Sequence, residues 1–216
     1  MVAASRTGRA LAAVALTGAL GAGGCGRMPS VPVAARPLDP SYQPRHVGRG
    51  SRFRPAVAGP ALAGHPVAGT SGASLTCGMR RGPRFGVHVE VFAAGDVVLI
   101  PAGIGVALPW RPDGAYVRGG RCEYPLATHE PTGLIAVDPR RRFTLGDVFA
   151  VWGQALSSGR VADFFAPGAV AVRAYVQGRL WTGDPAAILL TRHATIVVEV
   201  GGYVPPHRSY RFPAGL

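Results

Sequence analysis

The sequence predicts an α+β fold, largely antiparallel β-hairpins packed on one main helix and preceded by a disordered tether. Three observations carry that expectation. Residues 85–92 read FGVHVEVF, an apolar/polar alternation that ends in the turn AAGD before a second apolar run at 97–100, the pattern of a hairpin. Leu145, Val148, Phe149 and Trp152 stand at i, i+3, i+4 and i+7, the apolar stripe of a helix over residues 144–154. The composition also changes at Cys77, where a stretch rich in Pro, Gly, Ala, Ser and Arg gives way to periodic apolar segments.

At the N-terminus, Arg6 and Arg9 precede an apolar run over residues 10–22, followed by Gly23, Gly24 and Cys25. This is the outline of a secretion signal over residues 1–24. The run is about 20 Å long as a helix, against the roughly 30 Å of a bilayer core, so it spans poorly. Cys25 after small residues resembles the lipobox of bacterial lipoproteins, in which a peptidase cuts before the Cys and the thiol carries a diacylglyceryl group. Ala22 stands where those boxes usually hold Leu. The resemblance implies that Cys25 is a lipid anchor, since two or more acyl chains hold a protein on a bilayer durably. The alternative is ordinary cleavage near residues 22–24, releasing a soluble protein.

Residues 25–76 then read as the lipidated Cys and its tether. Between 26 and 76 there are six arginines and one acid, Asp39, and no convincing strand or helix period. Such a segment buries too little apolar surface to offset its ordering entropy. The folded domain is expected over 77–216. Its second hairpin comprises residues 122–128 and 133–137 around HEPT (129–132), while PAGIG (101–105) breaks the preceding strand. Thr144 is a plausible N-cap, with Asp147 three residues on as the acid of a capping box and Gly153 at the helix end. A third hairpin joins 169–176 to 179–182 across Gln177 and Gly178. Residues 183–190 look like a short helical turn, ATIVVEVG (194–201) is the last clear strand, and 204–216 is extended and Pro-punctuated.

Once Cys25 is set aside, Cys77 and Cys122 have one possible pairing in an exported protein, and a metal pair would need further ligands that are not nearby; a structural disulfide is expected. The formal charge of +12 comes from 23 arginines, without a single lysine, against 11 acids. A GC-rich codon bias explains that preference for Arg. The densest run, Arg140 to Arg142, has no interleaved aromatics and no recognisable module around it, so nucleic acid is not expected as a partner. Lysine chemistry, the Gly-x-Ser-x-Gly nucleophile, the HExxH zinc motif and phosphate-cradling glycine loops are all absent from the sequence.

One polar constellation remains. His88 and Glu90 alternate on one strand and so share a face, and His129 and Glu130 lie at the tip of the second hairpin. Imidazoles and carboxylates are ligands suited to Zn or Cu. No cofactor is otherwise expected.

From residue 88 to 216 the chain carries, in order, PAGIG, Cys-x-Tyr-Pro-Leu with Thr-His-Glu, Gly-Leu-Ile, Phe-Thr-Leu-Gly with Val-Trp-Gly, Tyr-Val-x-Gly, Gly-Asp-Pro, Val-Pro-Pro and Phe-Pro-Ala-Gly-Leu. This order resembles a family of uncharacterised exported bacterial proteins. The resemblance implies company rather than a mechanism. It also implies a histidine-richer site, for this sequence has Gly86, Ala127 and Ala136 where the pattern suggests histidine. The functional expectation is a lipid-anchored extracytoplasmic protein, a non-enzymatic binding module for an envelope protein or ligand. The rival is a metal-binding protein or metal-dependent enzyme using His88, Glu90, His129 and Glu130.

Overall fold

The computed structural model describes residues 63–70, 72–79, 82–168 and 171–216. The signal segment, Cys25 and the tether as far as residue 62 lie outside the described residues. Among the described residues the protein is mostly β-sheet with one α-helix.

The domain begins before Cys77. Strands β1 (Val67–Ala68) and β2 (Ser74–Leu75) pair antiparallel within the stretch assigned to the tether. Leu75 is fully buried, and Tyr124 donates its hydroxyl to the His65 carbonyl. Two-residue strands leave too short a pattern for alternation to register, so paired strands stand at 67–68 and 74–75, ahead of the start expected at 77.

The long strand β3 (Phe85–Ala93) turns back through Ala94 and Gly95, both at positive φ, into β4 (Asp96–Val98). Two residues with φ > 0 match the right-handed twist of the flanking strands, which is why AAGD works as a hairpin turn. A small hairpin, β5 (Pro112–Asp113) with β6 (Tyr116–Val117), precedes β7 (Leu126–Ala127) and β8 (Leu134–Val137).

Helix α1 (Leu145–Trp152) has the expected caps. Thr144 and Asp147 form a reciprocal capping box, and Gly153 ends the helix at φ 74°. It is followed by a three-stranded meander, β9 (Leu156–Ser157), β10 (Arg160–Val161) and β11 (Phe164–Phe165), that leaves no periodic trace in the sequence. The third hairpin, β12 (Arg173–Val176) and β13 (Arg179–Trp181), turns at Gln177 and Gly178 with positive φ at both. A 3-10 turn at Pro185–Ala187, capped by Asp184, leads to β14 (Thr195–Val200).

Seven strands make the central sheet, in the order β13-β12-β14-β3-β8-β7, with β4 also paired to β3. All its pairs are antiparallel except the central one, β14 with β3, which run parallel with Thr195 opposite His88 and Glu199 opposite Phe92. The alternation of β3 therefore sorts two faces. Val87, Val89 and Val91, with Ile196 and Val198 of β14, pack with Leu145, Val148, Phe149 and Trp152 of α1 in the main core. Gly86, His88, Glu90 and Phe92 point the other way. On that second face Phe92, Tyr175 and Val197 form a smaller cluster capped by Val204, the start of the C-terminal segment. No helix among the described residues is long and apolar enough to cross a membrane.

Candidate functional site

The second face of the sheet carries His88 and Glu90, and residues 203–216 lie across it as a strap without regular secondary structure apart from a final turn. Side chains fasten the strap. Tyr210 stacks on the His88 ring at 3.8 Å between centroids and 8° between planes. His207 Nδ1 lies 2.8 and 2.9 Å from the two Glu90 oxygens. Phe212 stacks on His193 at 4.6 Å, and His193 Nε2 donates to the Leu216 carbonyl at 2.7 Å. Phe212 also fills the space over Gly86, where a Cβ would come within 2.8 Å of its ring.

His88 is 5% exposed. Its Nε2 lies 3.0 Å from the Thr132 carbonyl, which can only accept, so Nε2 carries the proton. In the neutral ring Nδ1 is then a bare lone pair. That atom is buried without a hydrogen-bond partner and faces Glu90 Oε1 at 3.9 Å. Burial holds the His88 pKa below its ordinary value, against the opposing pull of the Glu90 charge.

His129 and Glu130 do not join this pair as a group. His129 Nδ1 donates to the Val117 carbonyl at 2.8 Å, and Nε2 faces Glu123 Oε2 at 3.8 Å. Arg84 lies 3.7 Å from the same Glu123 oxygen and donates to the Tyr124 and Ala136 carbonyls at 2.9 and 3.2 Å. Glu130 turns instead toward the strap: it accepts from Thr132 Oγ1 at 2.9 Å, and its charge acts on both His88 and Tyr210. As the chain stands, no three His, Cys, Asp or Glu side chains among the described residues converge on one point as metal ligands do. Gly86, Ala127 and Ala136, where the resemblance suggests histidine, are cross-strand neighbours on β3, β7 and β8.

The residues that sequence reasoning missed are His207, Tyr210 and Thr132. The alternation of Tyr210 and Phe212, both facing the sheet, was the available signal.

Cys77 and Cys122 form a disulfide with Cα atoms 5.5 Å apart. Beside it a cleft of about 250 Å³ is lined by Gly78, Met79, Arg84, Asp138, Arg140 and Phe143. Of its charged side chains, Arg84 is engaged as above, Arg140 bonds both Asp138 oxygens through its Nε at 2.9 and 3.0 Å, and Arg141 lies over the Phe143 ring at 5.7 Å. The Arg140 bond, more than the nearby charges, holds the Asp138 carboxyl below the usual carboxylate range. PAGIG is structural: the Gly103, Ile104 and Gly105 backbone bonds run alongside Tyr124 and Thr128.

Set beside known proteins, the chain matches no family model, no curated protein and no solved structure.

Proposed function

We propose that this chain is a lipid-anchored extracytoplasmic binding module that acts through the domain beyond the tether and performs no catalysis. The observation that carries the reading is the Cys77–Cys122 disulfide. Disulfides persist in oxidising compartments and are rare in the cytosol, so it supports export, which the N-terminal signal pattern requires. Lipid attachment at Cys25 is read from the lipobox resemblance, and the partners proposed are the membrane, through that anchor, and an envelope protein or ligand, not nucleic acid.

The non-catalytic part of the reading rests on how the polar groups are used. Asp147 caps α1, Asp138 holds Arg140, Glu199 accepts from the Val204 amide, and His129 donates to a backbone carbonyl. Each serves the fold, whereas a catalytic site needs a nucleophile or base left facing a reacting atom.

The test is fractionation of a bacterial host expressing the full chain in the presence of labelled palmitate. Label on the wild-type chain, its detergent-phase partitioning and the loss of both in Cys25→Ser are expected. Unlabelled material recovered from the cytosol with Met1 attached overturns the reading.

A further inference from the structure

We propose that two copies of this chain pair edge to edge through β13, antiparallel about a two-fold axis at Leu180, joining their central sheets into one. The inference goes beyond the binding-module reading and does not depend on lipidation.

Three observations carry it. First, β13 ends the strand order of the central sheet, and all three of its residues, Arg179, Leu180 and Trp181, are exposed. Within the hairpin, Ala174 pairs with Trp181, Tyr175 with Leu180 and Val176 with Arg179. The Gln177 amide donates to the Thr195 carbonyl of β14 at 2.8 Å. Backbone groups of successive strand residues point to opposite edges, so the odd-numbered residues of β12 bond β14 and the even-numbered ones bond β13. Arg179 and Trp181 therefore bond inward, and the Leu180 N–H and C=O point out from the edge. No backbone partner meets them among the described residues. Such an edge is a template for another strand.

Second, these three residues are complementary to themselves. Two β13 strands meeting antiparallel, Leu180 opposite Leu180, exchange both N–H···O=C bonds of that pair. The same register sets Arg179 of each copy opposite Trp181 of the other, a cation against an aromatic face. A slip of two residues toward the turn would put Arg179 against Arg179, and like charges directly opposite repel. On the strap face Leu180, 58% exposed beside Tyr175, meets its own counterpart, and both withdraw apolar surface from water.

Third, the opposite end of the sheet is closed. The PAGIG segment runs along β7, with the Gly103 amide on the Thr128 carbonyl, the Thr128 amide on the Ile104 carbonyl and the Tyr124 amide on the Gly105 carbonyl, each at 2.9 Å. Leu126 and Ala127 of β7 are buried. End-to-end pairing of sheets thus joins β13 to β13, and it closes at two copies. A contact of three residues a side is small, so the association is weak and concentration-dependent.

The test uses the full chain carrying Cys25→Ser, with the Cys77–Cys122 disulfide intact and detergent micelles in excess so that the apolar N-terminal run gathers no copies. Sedimentation equilibrium should show monomer and dimer exchanging with concentration, the dimer weakened about fivefold or more in Trp181→Ala. Under mild oxidation Leu180→Cys should be trapped as a dimer, because a hydrogen-bonded antiparallel pair holds its Cα atoms about 5.5 Å apart, within reach of a disulfide. Arg179→Cys should not be trapped, because the same register holds the two copies of residue 179 about 8 Å apart. Both positions are exposed, so both variants should keep the wild-type circular dichroism. A monomer at every concentration, wild-type dimerisation in Trp181→Ala, or trapping of Arg179→Cys equal to or above that of Leu180→Cys each overturns the proposal.

Discussion

Removing the Asp147 carboxylate should cost the domain about 3 kcal/mol. The residue is fully buried at the start of α1. Oδ2 accepts the Thr144 amide at 2.8 Å, and Oδ1 accepts the Thr70 amide at 2.9 Å and the Thr70 hydroxyl at 3.2 Å. One carboxylate therefore closes the capping box and ties the helix to the β1–β2 turn. Hydrogen bonds to a charged group contribute about 1.5–3 kcal/mol each. In Asp147→Ala the Thr70 amide, on an exposed residue, regains water, while the Thr144 amide is left poorly satisfied. Counting both bonds near the bottom of that range gives about 3 kcal/mol. An eight-residue helix is too short to persist without its packing and caps, so the loss falls on the whole domain. Urea unfolding with the disulfide intact should show a lower midpoint at unchanged slope. Asp147→Asn, which keeps one acceptor, should fall between wild type and Ala. A change below about 0.5 kcal/mol in Asp147→Ala would refute the assignment of Asp147 as a buried tie.

Three further outcomes follow from the same structure. The Cys77–Cys122 bond spans 45 residues, for which the chain-entropy relation gives about 4 kcal/mol; the paired Ser variant should lose most of that in urea unfolding, and a loss under about 1 kcal/mol would contradict it. Burial raises the Glu199 pKa above its ordinary 4.5, so this carboxyl favours the fold fully below pH 4.5 and the contribution is lost as pH rises through the raised value. Glu199→Gln should therefore show a flatter melting temperature between pH 4.5 and 7 than wild type, and parallel curves would count against it. Gly105→Ala should destabilise by about 3 kcal/mol or more, since its Cβ would lie 1.9 Å from the Leu126 carbonyl oxygen at φ +69°. Gly72→Ala, at φ +76° with nothing within 4 Å, should lose only about 1 kcal/mol, and equal losses in the two would remove the steric argument.

What was legible in the sequence was local. The helix and both its caps were readable because the signals lie within about ten residues of one another: a 3.6-residue stripe, a Thr and an Asp at capping-box spacing, a Gly at the end. The hairpins at 94–95 and 177–178 were readable because their turns need positive φ and their flanks alternate. The parallel pairing of β14 with β3 was not, because it joins residues about a hundred positions apart and nothing in either segment names its partner. The β9–β11 meander failed for a different reason. Strands of two residues carry no period at all.

The candidate site shows where that limit matters for chemistry. Spacing put His88 and Glu90 on one face, and the sheet bears this out; it also suggested His129 as a companion, because both hairpins carry an exposed-looking His beside an acid. The partner of a ring nitrogen is decided by tertiary geometry. His129 meets Val117 and Glu123, while the group that reaches Glu90 is His207, from a tail with no period to place it. The tail matters for a reason visible in β14. Its strand is buried throughout, Glu199 included, which an outer face open to water would not allow. Some segment had to cover that face, and the strap does so with Val204 on the small cluster, Tyr210 on His88 and Phe212 over Gly86. A strap required for burial also fixes where its polar residues fall, so His207 comes to Glu90 as a consequence of packing the aromatic side chains three and five positions further on.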